Sequence, residues 1–284
     1  MNSSFVKGFV AALLLIGLGL GGTGLLTSGE TSSSPERATA PAPSAPVDGE
    51  TYGVAAVVDG DTITLVNGRD VRFTGIQTPK LPLGRKGFKK WPLADEAKVH
   101  LFDLIGEGSV TLQLAANPED RWGRILAQVY NDKGEWLQGE MISAGMGRVY
   151  TFADNAEFAE ALYAREREAR AAGRGIWAHP FYAIRTPDEA HEYDESFQLV
   201  EGRVVEAANV RGRVYLNFGA DYKTDFTILV EPEVRRQFDA RGIDLTSLTG
   251  HPVRVRGWLR DWNGPLIELT HPEQLEILGH AADD

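Results

Sequence analysis

The chain has 284 residues, 43% apolar and 24% charged, enough for one or two folded domains of ordinary composition. Its formal net charge of −11 excludes a binder that relies on overall positive charge to hold polyanions. Having no cysteine, it has no disulfide, thiol nucleophile, zinc ribbon or lipid-modified N-terminal Cys. The charge is uneven. Lys and Arg number 16 against 18 acids over residues 50–182, but 11 against 19 over 183–284.

Lys7 is followed by GFVAALLLIGLGLGGTGLLTSG, residues 8–29, twenty-two residues without a charge. At about 1.5 Å per helical residue this run spans a hydrocarbon core of roughly 30 Å. It predicts an N-terminal membrane anchor or signal segment over 1–28, with the rest exported to the cell envelope, or secreted if the segment is cleaved. Residues 29–50, rich in Ser, Thr, Pro and Ala, read as a flexible linker.

Next comes VAAVVDGDTITLVNGRDVRFTG, β-branched runs punctuated by Asp-Gly and Asn-Gly turns, and then SVTLQLAANPEDRWGRILAQVYNDKGEW, again strand, loop and strand. Helices are expected over about 93–105, 137–144 and from near Asp154 to before Gly173. The last is capped by Asp154 or Asn155, braced by Glu166 and Arg170, and ended by Gly173. Residues 183–196 read as a linker. From Phe197 to residue 279, five strand-like runs and a short helix near 233–240 predict an OB-like barrel, with a tail over 280–284.

Four blocks occur in order over about 52–180: VVDGDTITL, VRFTGIQTPK, DRWGRILAQVY, and ISAGMGRVY with a helix ending GRGIW. This succession resembles the staphylococcal nuclease (thermonuclease-like) family. The resemblance implies an α+β, mainly β fold: an OB-type barrel with three helices over 51–182, then the second, five-stranded OB-like barrel. It also implies calcium-dependent hydrolysis of DNA or RNA. On this template Asp61 matches a calcium carboxylate, Thr78 a metal-binding backbone carbonyl, and Arg72 and Arg124 the phosphate-clamping, catalytic arginines. Arg121, Trp122 and Tyr150 match positions beside the nucleotide.

Two positions depart from the template. Gln77 stands where the family has a second calcium Asp, and Lys80 where it has the catalytic Glu. A protonated lysine repels a metal and is no base; loss of a general base costs about 10²- to 10⁴-fold. Calcium or another divalent cation is thus expected to bind weakly or not at all. Lys80, Arg72 and Arg124 together suggest an all-basic, anion-binding pocket. The following LPLGRKGFKKWPL interleaves Arg85, Lys86, Lys89 and Lys90 with Phe88 and Trp91, a pattern that suits single-stranded nucleic acid.

Each residue also has a plainer reading. Asp59-Gly60-Asp61 can be a tight hairpin, the arginines can pair with barrel carboxylates, and Trp122 can be packing. In the last third, Arg254 and Arg256 alternate with Val253 and Val255 as a half-buried strand, and Tyr215, Phe218, Trp258 and Trp262 read as core. Three functions stay open: an exported binding module for nucleic acid or another anionic or protein partner, a nuclease in which Glu96 or Asp59 replaces a lost acid, and an envelope scaffold.

Overall fold

The structure is a computed structural model that describes residues 43–46, 49–106, 108–221 and 223–279. All of them lie within one compact unit, Arg37–Asp284. The expected membrane segment over 8–29 lies outside the described residues. Among those residues, no helix is long and apolar enough to cross a membrane.

The alternating apolar runs of the first half become β1 (Thr51–Asp59), β2 (Thr62–Leu65), β3 (Asp70–Phe73), β4 (Ile76–Gln77), β5 (Ser109–Glu119), β6 (Ile125–Asn131) and β7 (Arg148–Val149). Five close into a barrel in the order β1-β2-β3-β6-β5, and β4 pairs with β7 beside it. Three helices cover the barrel: α1 (Ala94–Ile105), α2 (Leu137–Ser143) and α3 (Ala159–Ala171). Ile63, Val71, Phe73, Ala127 and Val129 meet Leu101, Met141 and Leu162 in a fully buried core. Gly60 is required in the turn between β1 and β2. A Cβ there would sit 2.8 Å from Thr78 Oγ1 and 2.9 Å from Ala97 Cβ, so its absence lets α1 and the Thr78 segment close over the turn.

Helix α3 begins at Ala159, five residues after Asp154. Asp154 and Asn155 accept hydrogen bonds from Asn117 at 2.9 and 3.3 Å instead of capping the helix. The expected end holds, with Gly173 at φ +60°. The segment 183–196 is structured: Pro187–Tyr193 is a 3₁₀ helix with a Thr186/Glu189 capping box.

The C-terminal runs form β8 (Phe197–Arg203), β9 (Glu206–Val210), β10 (Arg213–Asn217), β11 (Thr227–Val230), β12 (Pro252–Asp261), β13 (Pro265–Leu269) and β14 (Leu275–Ile277), with α4 (Pro232–Ala240) after β11. The expected five-stranded barrel is instead one seven-stranded sheet, in the order β14-β12-β13-β11-β10-β9 with β8 also on β12, because the first run breaks at Val204 and Val205 and the last at the 3₁₀ turn Pro272–Gln274. Its core gathers Val214, Leu216, Ile228, Val253, Val255, Ile267 and Phe238. Phe218 packs at the margin of this core, its ring tilted against Phe226 with centroids 5.1 Å apart, and Tyr215 is half-buried. Trp258 and Trp262 correct the core reading: they are 56% and 62% exposed, because Trp258 lies on the outer face of β12 and Trp262 in the turn that follows it.

That outer face also meets the first barrel. Arg256, read from sequence as half-buried, is 1% exposed. Its guanidinium donates to Val149 O at 3.0 Å, to Glu166 Oε1 and Oε2 at 3.1 and 2.8 Å, and to Glu276 Oε1 at 2.7 Å. Glu166 also accepts from Val149 N at 2.7 Å, so one carboxylate ties α3, β7 and β12 together. The expected Arg170 pairing is longer, at 3.5 Å.

Candidate functional site

The turn between β1 and β2 presents two carboxylates. Asp59 Oδ1 accepts from Asp61 N at 3.1 Å, which folds the Asp-Gly-Asp turn on itself. Asp61 is fully buried. Its Oδ2 accepts from Thr78 N at 2.8 Å and Thr78 Oγ1 at 3.0 Å. Thr62 Oγ1 lies 3.3 Å from Oδ1, and Arg72 NH1 3.1 Å from it. Lys80 Nζ donates to both oxygens of Asp61 at 2.6 Å and to Asp59 Oδ2 at 3.3 Å. Burial would raise the carboxyl of Asp61. The charges of Arg72 and Lys80 outweigh it and hold the group well below the ordinary carboxylate range. Burial and the neighbouring Asp61 charge raise Asp59, with Lys80 opposing them.

The expected set of three cations facing an empty pocket is not what forms. Each cation finds a closer partner inside the fold. Lys80 is held by the two aspartates. Arg72 donates to Phe73 O and Ile76 O, both at 2.6 Å, besides meeting Asp61. Arg124 pairs with Asp120 through Nε at 2.8 Å and NH2 at 2.7 Å, within its own turn. The bland reading of these two arginines, as structural partners of barrel groups, is the one the geometry follows.

Calcium wants six to eight oxygens at about 2.3–2.6 Å. The residues here do not fit it. A carboxylate offers about four lone-pair directions, and Thr62, Thr78, Arg72 and Lys80 claim those of Asp61. Thr78 turns its N–H and hydroxyl towards the site as donors. The Oε1 of Gln77 accepts from Arg148 Nε at 3.0 Å and NH2 at 2.7 Å. Among the described residues, no group of three or more His, Asp or Glu is placed to hold a metal ion. Glu96 is exposed on the first turn of α1, where its charge acts on Lys90 and Tyr182.

The aromatic positions diverge. Trp122, in the turn between β5 and β6, is 65% exposed, with the guanidinium of Arg121 4.0 Å and that of Arg124 5.2 Å from its ring. Packing was the plainer reading, and exposure overturns it. Tyr150 is instead enclosed by the C-terminal sheet. Its ring meets Phe197 at 4.6 Å and Phe152 at 5.0 Å, and its hydroxyl accepts from Trp258 Nε1 at 3.3 Å. In the 81–93 loop, Arg85 stacks on Phe88 at 3.8 Å, and Phe88 on Trp91 at 6.3 Å. Trp91 is anchored by Phe181 at 5.6 Å, and Lys90 pairs with Asp95. Arg85, Lys86 and Lys89 are exposed.

Sequence reasoning missed Arg148. It is buried, and burial pushes its guanidinium down to about 10. Besides Gln77 it donates to Phe197 O at 3.0 Å and lies 4.7 Å from the Phe197 ring, so it joins the rim of the site to the second sheet. The signal available was its place at the start of the short run Arg148-Val149, β7, which sets it opposite Gln77 in the β4–β7 pair.

Comparison with known proteins decides the family. The family described as Staphylococcal nuclease homologue matches residues 70–179. The thermonuclease of Staphylococcus intermedius is 30% identical over 46% of this chain and 78% of its own length. The chain belongs to the staphylococcal nuclease family. Within it, an uncharacterized endonuclease of Escherichia coli is 30% identical over 44% of this chain and 75% of its own length. Endonuclease YhcR of Bacillus subtilis is 27% identical over 48% of this chain, but that match spans only 12% of the Bacillus protein. The relatives named in this comparison are nucleases, and the family match runs from β3 past the end of α3.

Proposed function

We propose that this chain is an exported, envelope-anchored member of the family that binds single-stranded nucleic acid without cutting it by the calcium route. The observation that carries the reading is Trp122, 65% exposed and held beneath the guanidinium groups of Arg121 and Arg124. An exposed indole is a stacking surface for any base, worth about 1–3 kcal/mol per stacked base. The exposed Arg85, Lys86 and Lys89 supply phosphate contacts on an otherwise acidic chain. Hydrolysis by the family's mechanism has lost its acids: Gln77 brings no charge and Lys80 no base. The anchor is assigned to residues 8–29, whose length and composition support it.

Labelled single-stranded DNA and RNA are incubated with the full chain in calcium, magnesium, manganese or chelator. The expected outcome is no cutting, with salt-sensitive binding that falls about tenfold or more in Trp122→Ala. Metal-dependent cutting that disappears in Asp61→Ala would restore the nuclease reading. Neither cutting nor binding would leave the envelope scaffold, with a protein partner.

A further inference from the structure

We propose that the ammonium of Lys80 is a built-in cation occupying the divalent-metal position, so that the Asp59–Asp61 site takes no metal ion unless the lysine side chain is removed. Asp61 and Thr78, which the family resemblance assigns to calcium, are the residues that gather around this corner of the fold. Lys80 Nζ has three protons to donate, and three carboxylate oxygens receive it: Asp61 Oδ1 and Oδ2 at 2.6 Å and Asp59 Oδ2 at 3.3 Å. Arg72 adds a second positive charge 3.1 Å from Asp61. Two carboxylates already face two cations, so the site is neutral without a metal. A divalent ion brought to the same oxygens would displace the ammonium or meet its charge at a few ångströms.

The tether makes this occupancy permanent. The carbonyl of Lys80 accepts from Trp91 N at 3.0 Å, and the preceding Thr78 is bonded to Asp61 through its backbone N–H. The ammonium is therefore delivered by the chain at a local concentration that dissolved calcium does not match. Only 18% of the lysine side chain is exposed, enough to reach the rim and too little to be a freely solvated surface amine. Arg148 closes the other route to a ligand set by holding the amide oxygen of Gln77. The inference concerns cation occupancy and is tested without nucleic acid, so it stands or falls separately from the binding reading.

The full chain, Lys80→Ala and the exposed-loop control Lys89→Ala are unfolded thermally in chelator and in rising calcium chloride, with calcium binding followed by titration calorimetry. Wild type and Lys89→Ala are expected to be calcium-blind. Lys80→Ala is expected to melt lower in chelator and to recover with one bound calcium. That recovery amounts to roughly 5 °C when calcium exceeds its dissociation constant a hundredfold. Calcium stabilisation of wild type equal to that of the variant, or a folded variant that stays calcium-blind, overturns the proposal. Reductive methylation of wild type, read by mass spectrometry, gives a check that needs no variant. Lys80 should be modified far more slowly than Lys86 and Lys89, and equal rates would also overturn it.

Discussion

Two buried ion clusters organise this molecule, and they are built from the same kinds of charge in opposite ways. At the turn between β1 and β2, a flexible ammonium reaches two aspartates from nineteen and twenty-one residues away. Between the barrel and the C-terminal sheet, the fork of Arg256 grips Glu166 in parallel bonds of 3.1 and 2.8 Å and takes Glu276 at 2.7 Å. The first cluster reaches the rim, with Lys80 18% exposed; the second is closed, with Arg256 and Glu166 at 1% and 0%. A guanidinium fork suits a fixed, dry junction, whereas a single-point ammonium on a long stem suits a site at the solvent rim. Similar chemistry thus serves cohesion in one place and occupancy in the other.

The sharpest way to break this contrast is Arg256→Met. It leaves Glu166 and Glu276 buried without their shared cation, and denaturant unfolding should register a loss of about 3–5 kcal/mol. Asp61→Asn should cost less, about 2–3 kcal/mol, because Lys80 can turn outward to water while Arg72 keeps its two carbonyls. If Asp61→Asn proves the more damaging, the rim cluster is the structural keystone and the contrast reverses. Gly60→Ala should cost about 1–3 kcal/mol by pushing Thr78 and Ala97 away from the turn, which also loosens the contacts on Asp61.

The smallest expected effect is a pH slope at the junction. His271 Nε2 lies 2.7 Å from Thr151 Oγ1, linking the two halves of the fold, and burial lowers the pKa of its ring below the ordinary histidine value. A lowered histidine pKa contributes stability fully present above the unfolded value, about 6.5, and lost as pH falls through the folded value. Stability measured from pH 7 to 5 should therefore decline, and His271→Asn should flatten part of that decline. Glu276 acts in a lower window. Burial opposes its ionisation, but Arg256 and Arg254 prevail and hold its pKa down, so its contribution is present above the ordinary glutamate value and lost as pH falls below it. An unchanged slope in His271→Asn would mean that the junction titrates through other groups.

Much of the fold was legible because it is written locally. Alternating β-branched runs, the Asp-Gly turns and the Gly173 stop each act over a few residues, and the four ordered blocks fix how they assemble. The departures at Gln77 and Lys80 were also visible. What Lys80 would do was not, because its partners lie across a turn and are chosen by geometry that spacing does not encode. The same holds for Arg256, whose alternation with valines reads equally as a wet or a buried edge. The start of α3 was misplaced because Asp154 and Asn155, good caps locally, find Asn117 first. Trp258 and Trp262 were placed in the core because hydrophobicity does not say which face of an edge is covered.

The bond between Arg148 and Gln77 also bears on how this sequence could change. An acid reinstalled at position 77 would meet a buried guanidinium that is now 2.7 Å from the amide oxygen and is itself committed to Phe197 O at 3.0 Å. That carboxylate would be captured as a salt bridge by Arg148. By lending Phe197 to Arg148, the C-terminal sheet thus takes part in deciding what the side chain at position 77 can bind.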